Sequence, residues 1–350
     1  MNEMPYIDLD CIIFGLQRFG GISNYWAKLV EHVTNLPNQR CRLVLPRQVT
    51  YQEFDEAWVR RVSVSREQIP ARFSRYLRGR VSGSDAVFHT SYYRLPRGRV
   101  GKYVVSAYDF TYERYRTGLA RTVHTTQKLA SIRRADAVLC ISESTRRDIV
   151  DFCPKIDSTR LHVVHLAVDR SAFFPEATPV TANESSVLFV GQRGGYKRFD
   201  LAVEAIRQSP RLSLGIVGSP LSAEERATLH RELGGRWVEH GQVSTQVLRR
   251  LYSSAFAFVF PSDYEGFGLP VLEAMACGCP VVAAARSSLP EVGGSAALYT
   301  NRQTAEDYAA ALATLDEASR RAEAVHAGFE RIEAFSWTQT MERTAAIYSQ

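Results

Sequence analysis

Ala255–Ala284, AFAFVFPSDYEGFGLPVLEAMACGCPVVAA, reads as strand, loop, helix and strand. The apolar run at Phe256–Phe260 is too short for a helix and is bounded by Pro261 and polar residues, which suits a buried strand. Gly266 and Gly268 punctuate the loop, and Pro270 fits the first turn of a helix over Leu269–Cys277. A second apolar run, Val281–Ala284, follows at once. Short apolar strands separated by helices imply a parallel sheet with helices on both faces.

The same alternation extends outward in both directions. Upstream come strand Val187–Val190, a helix from about Arg198, strand Leu212–Val217, helix Ser222–Leu233, strand Trp237–Glu239 and helix Ser244–Ser253. From Thr304 onward the chain is mostly helical. The first half repeats the theme. It offers a strand at Tyr6–Phe14, a helix over Ile22–Thr34, and strands at Cys41–Leu45, Ala86–His89, Lys102–Ser106, Ala137–Ile141 and Leu161–His165, with Ser142 placed to cap the helix that follows it. Asp169–Ser186, with two prolines and small polar residues, reads as a linker. The expected organisation is therefore α/β, with two Rossmann-like doubly wound parallel sheets facing across a cleft: residues 1–170, a linker at 171–186, a second domain at 187–335 and a terminal helix at 336–350 packing back on the first domain.

Composition sets further bounds. The 350 residues are 45% hydrophobic and 23% charged, as in ordinary globular proteins. No run is long and apolar enough for a membrane span. The N-terminus lacks the basic start of a secretory signal, which points to the cytoplasm. The six cysteines form no CxxC pair and read as buried free thiols. The net charge of +6 is uneven: residues 1–170 hold 27 basic and 17 acidic side chains, with arginines dense between Arg60 and Arg80. Such a face attracts anions, an anionic membrane surface among them. Asp8 and Asp10 spell a DxD pattern within the first strand, but nothing else supports a metal site. Hydrolase, zinc-protease and P-loop patterns do not occur.

In open parallel sheets the chemistry lies beyond the carboxyl ends of the strands. The loop at 261–268 presents backbone N–H groups at a helix start, which suits a diphosphate. Two carboxylates stand eight apart, Glu265 in the loop and Glu273 one turn into the helix, and carboxylates suit sugar and ribose hydroxyls. The string EGFGLPVLEAMACGCPVV resembles the signature of the retaining group 1 glycosyltransferases (family four). Its E-x7-E motif falls on Glu265 and Glu273. VLFVGQRGGYKRFDLAVEAI is similar to the segment that opens the family's second domain, and WVEHGQVSTQVLRRLYSSA and FSWTQTMERTAAIY also match in order.

The resemblance implies a GT-B fold and metal-independent transfer of a sugar from a nucleotide diphosphate sugar, with no further cofactor. Lys197 would bind the diphosphate, with Arg193, or alternatively Arg198, as its basic partner. Glu265 with the Phe267, Gly268 and Leu269 backbone would orient the sugar. Glu273 would hold the ribose, and Gln242 and Val243 would border the base. On the first domain, Gly20 and Gly21 would face the donor. His89, Tyr92, Tyr93 and Arg94 in FHTSYYR would flank it. Tyr108 stands where many relatives carry a histidine, and Asp109 would hold the acceptor hydroxyl. The implied acceptor is a glycan or lipid-linked saccharide of surface polysaccharide synthesis, with a lean towards a mannose-type sugar on GDP and no nucleic acid partner. A sugar-nucleotide epimerase or phosphorylase, a basic nucleic-acid-binding protein and a noncatalytic sugar-binding protein are the competing readings.

Overall fold

The computed structural model describes residues 5–18, 20–36, 39–176 and 183–350. Part of the expected linker, residues 177–182, lies outside the described residues. The chain divides into two compact units, one of residues 1–166 with 337–350 and one of residues 167–336.

The first unit is built on seven parallel strands: β1 Ile7–Asp10, β2 Cys41–Leu45, β3 Ser63–Arg66, β4 Val87–Thr90, β5 Lys102–Ala107, β6 Ala137–Cys140 and β7 Leu161–Val163. Their order is β3-β2-β1-β4-β5-β6-β7. The chain reverses its direction of travel across the sheet between β1 and β4, which sets a switch point there. The apolar run at Tyr6–Phe14 proves to be two elements, since β1 ends at Asp10 and a 3-10 turn takes Ile12–Gly15. The helix Trp337–Ser349 belongs to this unit and covers one face of its sheet: Lys102 Nζ donates to Ile347 O (2.7 Å), and Thr340 Oγ1 donates to His165 O (2.7 Å).

The second unit has six parallel strands: β8 Asn183–Val190, β9 Ser213–Val217, β10 Trp237–Gly241, β11 Ala255–Phe260, β12 Val281–Ala284 and β13 Ala297–Thr300. Their order is β10-β9-β8-β11-β12-β13, with the switch point between β8 and β11. Residues of both β11 and β12 are buried throughout, as a sheet covered on both faces requires. Val187, Phe189, Leu214, Ile216, Ala257 and Val259 meet the helix Phe199–Arg207 through its buried Ala202, Ala205 and Ile206. All six cysteines are buried and none is in a disulfide. Among the described residues, no helix is long and apolar enough to cross a membrane.

Candidate active site

The switch point of the second unit brings together two loops far apart in sequence. One follows β8 and carries Lys197; the other follows β11 and carries Glu265. Asp263 N donates to Tyr196 O (2.8 Å), which joins the loops. Lys197 Nζ then lies 2.6 Å from Glu265 Oε1, and both side chains are largely buried. The ammonium also sits over the Tyr196 and Phe260 rings, each 5.3 Å away. A cation so placed has little access to solvent, so its attraction for an incoming anion is weakly screened.

A third loop fixes the backbone around Glu265. Ser287 Oγ accepts from Glu265 N (3.1 Å) and donates to Glu265 O (2.5 Å). Ser288 Oγ donates to Phe267 O (2.7 Å) and lies 2.9 Å from Glu265 O. Ser287 holds φ +54°, a conformation that a non-glycine residue adopts only when its surroundings enforce it. Phe267 is buried against Phe335. Gly268 turns the chain into the helix Leu269–Ala276 at φ +108°, and a Cβ there would stand 2.9 Å from Leu289 Cδ2. With Pro270 in the first turn, the N–H groups of Gly268 and Leu269 lie ahead of the intrahelical ladder and point out of the helix start.

Glu273 sits one turn further along this helix. Burial raises its carboxyl from 4.5 to about 7, and among the described residues no cation offsets that cost. A half-buried acid without a charge partner is poorly explained by stability and well suited to accepting hydrogen bonds from a ligand.

Arg193 takes a different part from the one expected. Its Nε and Nη2 donate to the two Glu225 oxygens (2.7 and 3.3 Å), while Nη1 and Nη2 donate to Ser219 O and Pro220 O (2.8 and 3.0 Å). The guanidinium is thus a brace between the loops after β8 and β9, and Glu225 is itself the third residue of a capping box with Ser222. Arg198 faces Asp200 and Asp263. Lys197 is therefore the cation of this segment nearest Glu265. Gln242 is exposed and Val243 half-buried in the loop after β10, ahead of the helix that Ser244 caps.

In the first unit, the expected donor contacts His89 and Tyr108 are corrected by their burial. His89 is fully enclosed, with Nδ1 2.6 Å from Tyr348 Oη and Nε2 2.8 Å from Ser106 Oγ. Burial lowers its pKa to about 3, so the ring is neutral. Tyr108 Oη accepts from Trp26 Nε1 (2.5 Å) in the same enclosed cluster, and burial pushes its hydroxyl well up. Both side chains hold the sheet to the C-terminal helix and its neighbours. Arg94 is likewise internal. Its Nη1 donates to Asp10 Oδ1 and its Nη2 to Glu67 Oε1, each at 2.7 Å. Asp8 is taken by Arg42 Nε (2.9 Å) and by Ser82.

Asp109, at the end of β5, stays half-buried; its Oδ1 accepts from Thr111 N (2.8 Å). Its backbone is held by a cluster that sequence reasoning missed. Lys128 Nζ donates to Asp109 O (2.8 Å) and to Glu113 Oε2 (2.7 Å), with His124 Nδ1 3.5 Å from Glu113. Burial opposes charge on Glu113, but His124 and Lys128 outweigh it and hold the carboxyl at about 2. Gly20 and Gly21 lie at the start of the helix Gly21–Asn35, where Gln17 Oε1 accepts from Ser23 N and Ser23 Oγ (3.3 and 3.1 Å).

Two parallel Rossmann-like sheets, with Lys197, Glu265 and the helix start at Gly268 at the switch point of the second, define the GT-B fold. Residues 172–328 match the family model described as glycosyl transferases group 1. Residues 172–328 thus carry the domain of that family. It is 34% identical over 248 residues to alpha-maltose-1-phosphate synthase of Mycolicibacterium smegmatis, covering 62% of this chain and 64% of that protein. It is 29% identical to O-antigen chain mannosyltransferase B of Escherichia coli, covering 75% of this chain and 74% of the relative. The chain thus spans just under two thirds of the first relative's length. Among solved structures, sucrose-phosphate synthase from Thermosynechococcus elongatus superposes with a TM-score of 0.77 at 21% identity, over 99% of this chain and 98% of that one. Anabaena HepE in complex with UDP and glucose gives 0.75 at 16%, over 99% and 100%.

Proposed function

We propose that this protein transfers a hexose from a nucleotide diphosphate sugar to a glycan or lipid-linked saccharide, with retention at the anomeric carbon. The observation that carries this reading is the Lys197–Glu265 pair set 2.6 Å apart beside the Gly268 helix start, with Glu273 one turn beyond. Lys197 and the amides of Gly268 and Leu269 bind the diphosphate and stabilise it as it departs. Glu265 accepts from the sugar hydroxyls, and Glu273 accepts from the ribose. The bond between the anomeric carbon and the diphosphate oxygen breaks through an oxocarbenium-like state. The acceptor oxygen bonds on the same face, and its proton passes to the departing diphosphate. Asp109 orients the acceptor hydroxyl.

The likeness to an O-antigen mannosyltransferase supports a mannose-type donor and an acceptor in surface polysaccharide synthesis. The basic first unit supports work at an anionic membrane surface on the cytoplasmic side. The test is a thermal-shift and turnover screen over nucleotide sugars, with GDP-mannose and UDP-glucose both included. One nucleoside diphosphate should raise the melting temperature in a concentration-dependent way, and its sugar should appear in product with the donor's anomeric configuration. Absence of any nucleotide-dependent shift, or an inverted product, rejects the proposal.

A further inference from the structure

The first unit carries an exposed surface that the transfer chemistry does not use. It combines two segments. Around the short helix Ala71–Ser74, Phe73 is 55% exposed and Tyr76 and Leu77 are each 48% exposed. On the helix Gly118–Arg134, Leu119 is 78% exposed and Val123 41%. Leu119, Val123 and Gln127 recur every four residues and so share one helix face. Gln127 Nε2 donates to Arg75 O (2.5 Å), which sets that face against the first segment. Arg75 lies over the rings of Tyr76 and Tyr92, at 4.7 and 5.1 Å, and so links the patch to the loop after β4.

The charge carried by these two segments has one sign. Neither residues 68–84 nor residues 114–135 contain an acid, whereas Arg72, Arg78, Arg116 and Arg121 are exposed there. Large apolar groups in water are unfavourable unless something covers them. Leucine and phenylalanine ringed by arginine match the interface of an anionic bilayer, where apolar groups enter the acyl boundary and guanidiniums meet headgroup phosphates. A nucleic acid would use the arginines but would leave Leu77 and Leu119 without a partner.

We infer that Phe73, Leu77 and Leu119, framed by Arg72, Arg78 and Arg121, dock this unit on an anionic lipid surface. This gives the membrane partner of the proposed transferase a defined location and rests on that reading for its purpose, though its test does not. The experiment is vesicle co-sedimentation of the full chain with phosphatidylcholine alone and with phosphatidylcholine containing about one third phosphatidylglycerol. Native protein should bind only the anionic vesicles, less so at high salt. Phe73→Ser combined with Leu119→Ser should weaken binding at least tenfold while leaving nucleoside diphosphate affinity unchanged and the melting temperature nearly so, because both side chains are mostly exposed. Phe73→Trp should show blue-shifted emission with anionic vesicles and quenching by brominated acyl chains. Equal binding by the double variant, an unshifted tryptophan, or preference for a single-stranded RNA over vesicles each overturns the inference. Vesicle binding without any nucleotide binding would instead count against the transferase reading and leave this surface standing.

Discussion

Glu273→Gln should stabilise the ligand-free protein while weakening its hold on nucleotide. The carboxyl rises from 4.5 to about 7 because burial disfavours its charge and no cation among the described residues compensates. At roughly 1.4 kcal/mol per pH unit, keeping Glu273 ionised in the folded state costs about 3 kcal/mol. The folded state holds a proton between pH 4.5 and 7 that the unfolded state has lost, so this group destabilises the fold progressively as pH rises through that window. Glutamine keeps the shape and carries no charge. Urea unfolding of both proteins at a series of pH values reads the difference directly. The variant and the native protein should match near pH 4, diverge from about pH 4.5, and differ by up to about 3 kcal/mol above pH 7. Nucleoside diphosphate affinity, measured by calorimetry, should fall in the variant because the ribose loses a charged acceptor. A variant less stable than native at pH 7, or a difference that does not vary with pH, would refute the reasoning.

Three further outcomes follow from the same geometry. Gly268→Ala places a Cβ 2.9 Å from Leu289 Cδ2 at φ +108°; urea denaturation should show a loss of about 1–3 kcal/mol, and donor affinity should fall with it. Arg94→Ala leaves Asp10 and Glu67 as buried charges without their shared cation; it should cost about 3–5 kcal/mol in the unfolding of the first unit and lower the yield of folded protein. His89 has its pKa lowered to about 3 by burial, so its contribution is complete above the unfolded value of about 6.5 and is lost as pH falls below it; the acid-side drop in melting temperature should be smaller in His89→Gln.

The second unit was readable because its strands are continuous apolar runs and its key loop lies between two of them. Glu265, Gly268 and Glu273 fall within one short stretch, so order along the chain already sets their spacing. Lys197 comes from a distant stretch, but β8 and β11 are neighbours, and the switch point between them brings it to Glu265. The first unit was less legible. β3 carries Ser63 and Arg66 exposed at a sheet edge, so no apolar run announces it. The helix Gly118–Arg134 is mostly solvated and is held by polar groups such as Lys128 and Ser131, which leaves no apolar stripe to detect. His89 was misplaced for a different reason. A residue at the end of a strand can face solvent or a covering helix, and its cover here comes from Tyr348, 259 residues away. The Arg193–Glu225 contact was not legible either, because Glu225 lies 32 residues on, in a helix cap whose position only the fold supplies.

The central claim is that Lys197, beside Glu265 and the Gly268 helix start, grips the diphosphate of an activated sugar. Lys197→Ala tests it most directly, with calorimetric binding of the nucleoside diphosphate and turnover of the donor measured on the same preparation. Loss of one such electrostatic contact should lower turnover about 10²–10³-fold and weaken nucleoside diphosphate binding, while Arg198→Ala has a much smaller effect. Unchanged binding and turnover in a folded Lys197→Ala protein would contradict the account.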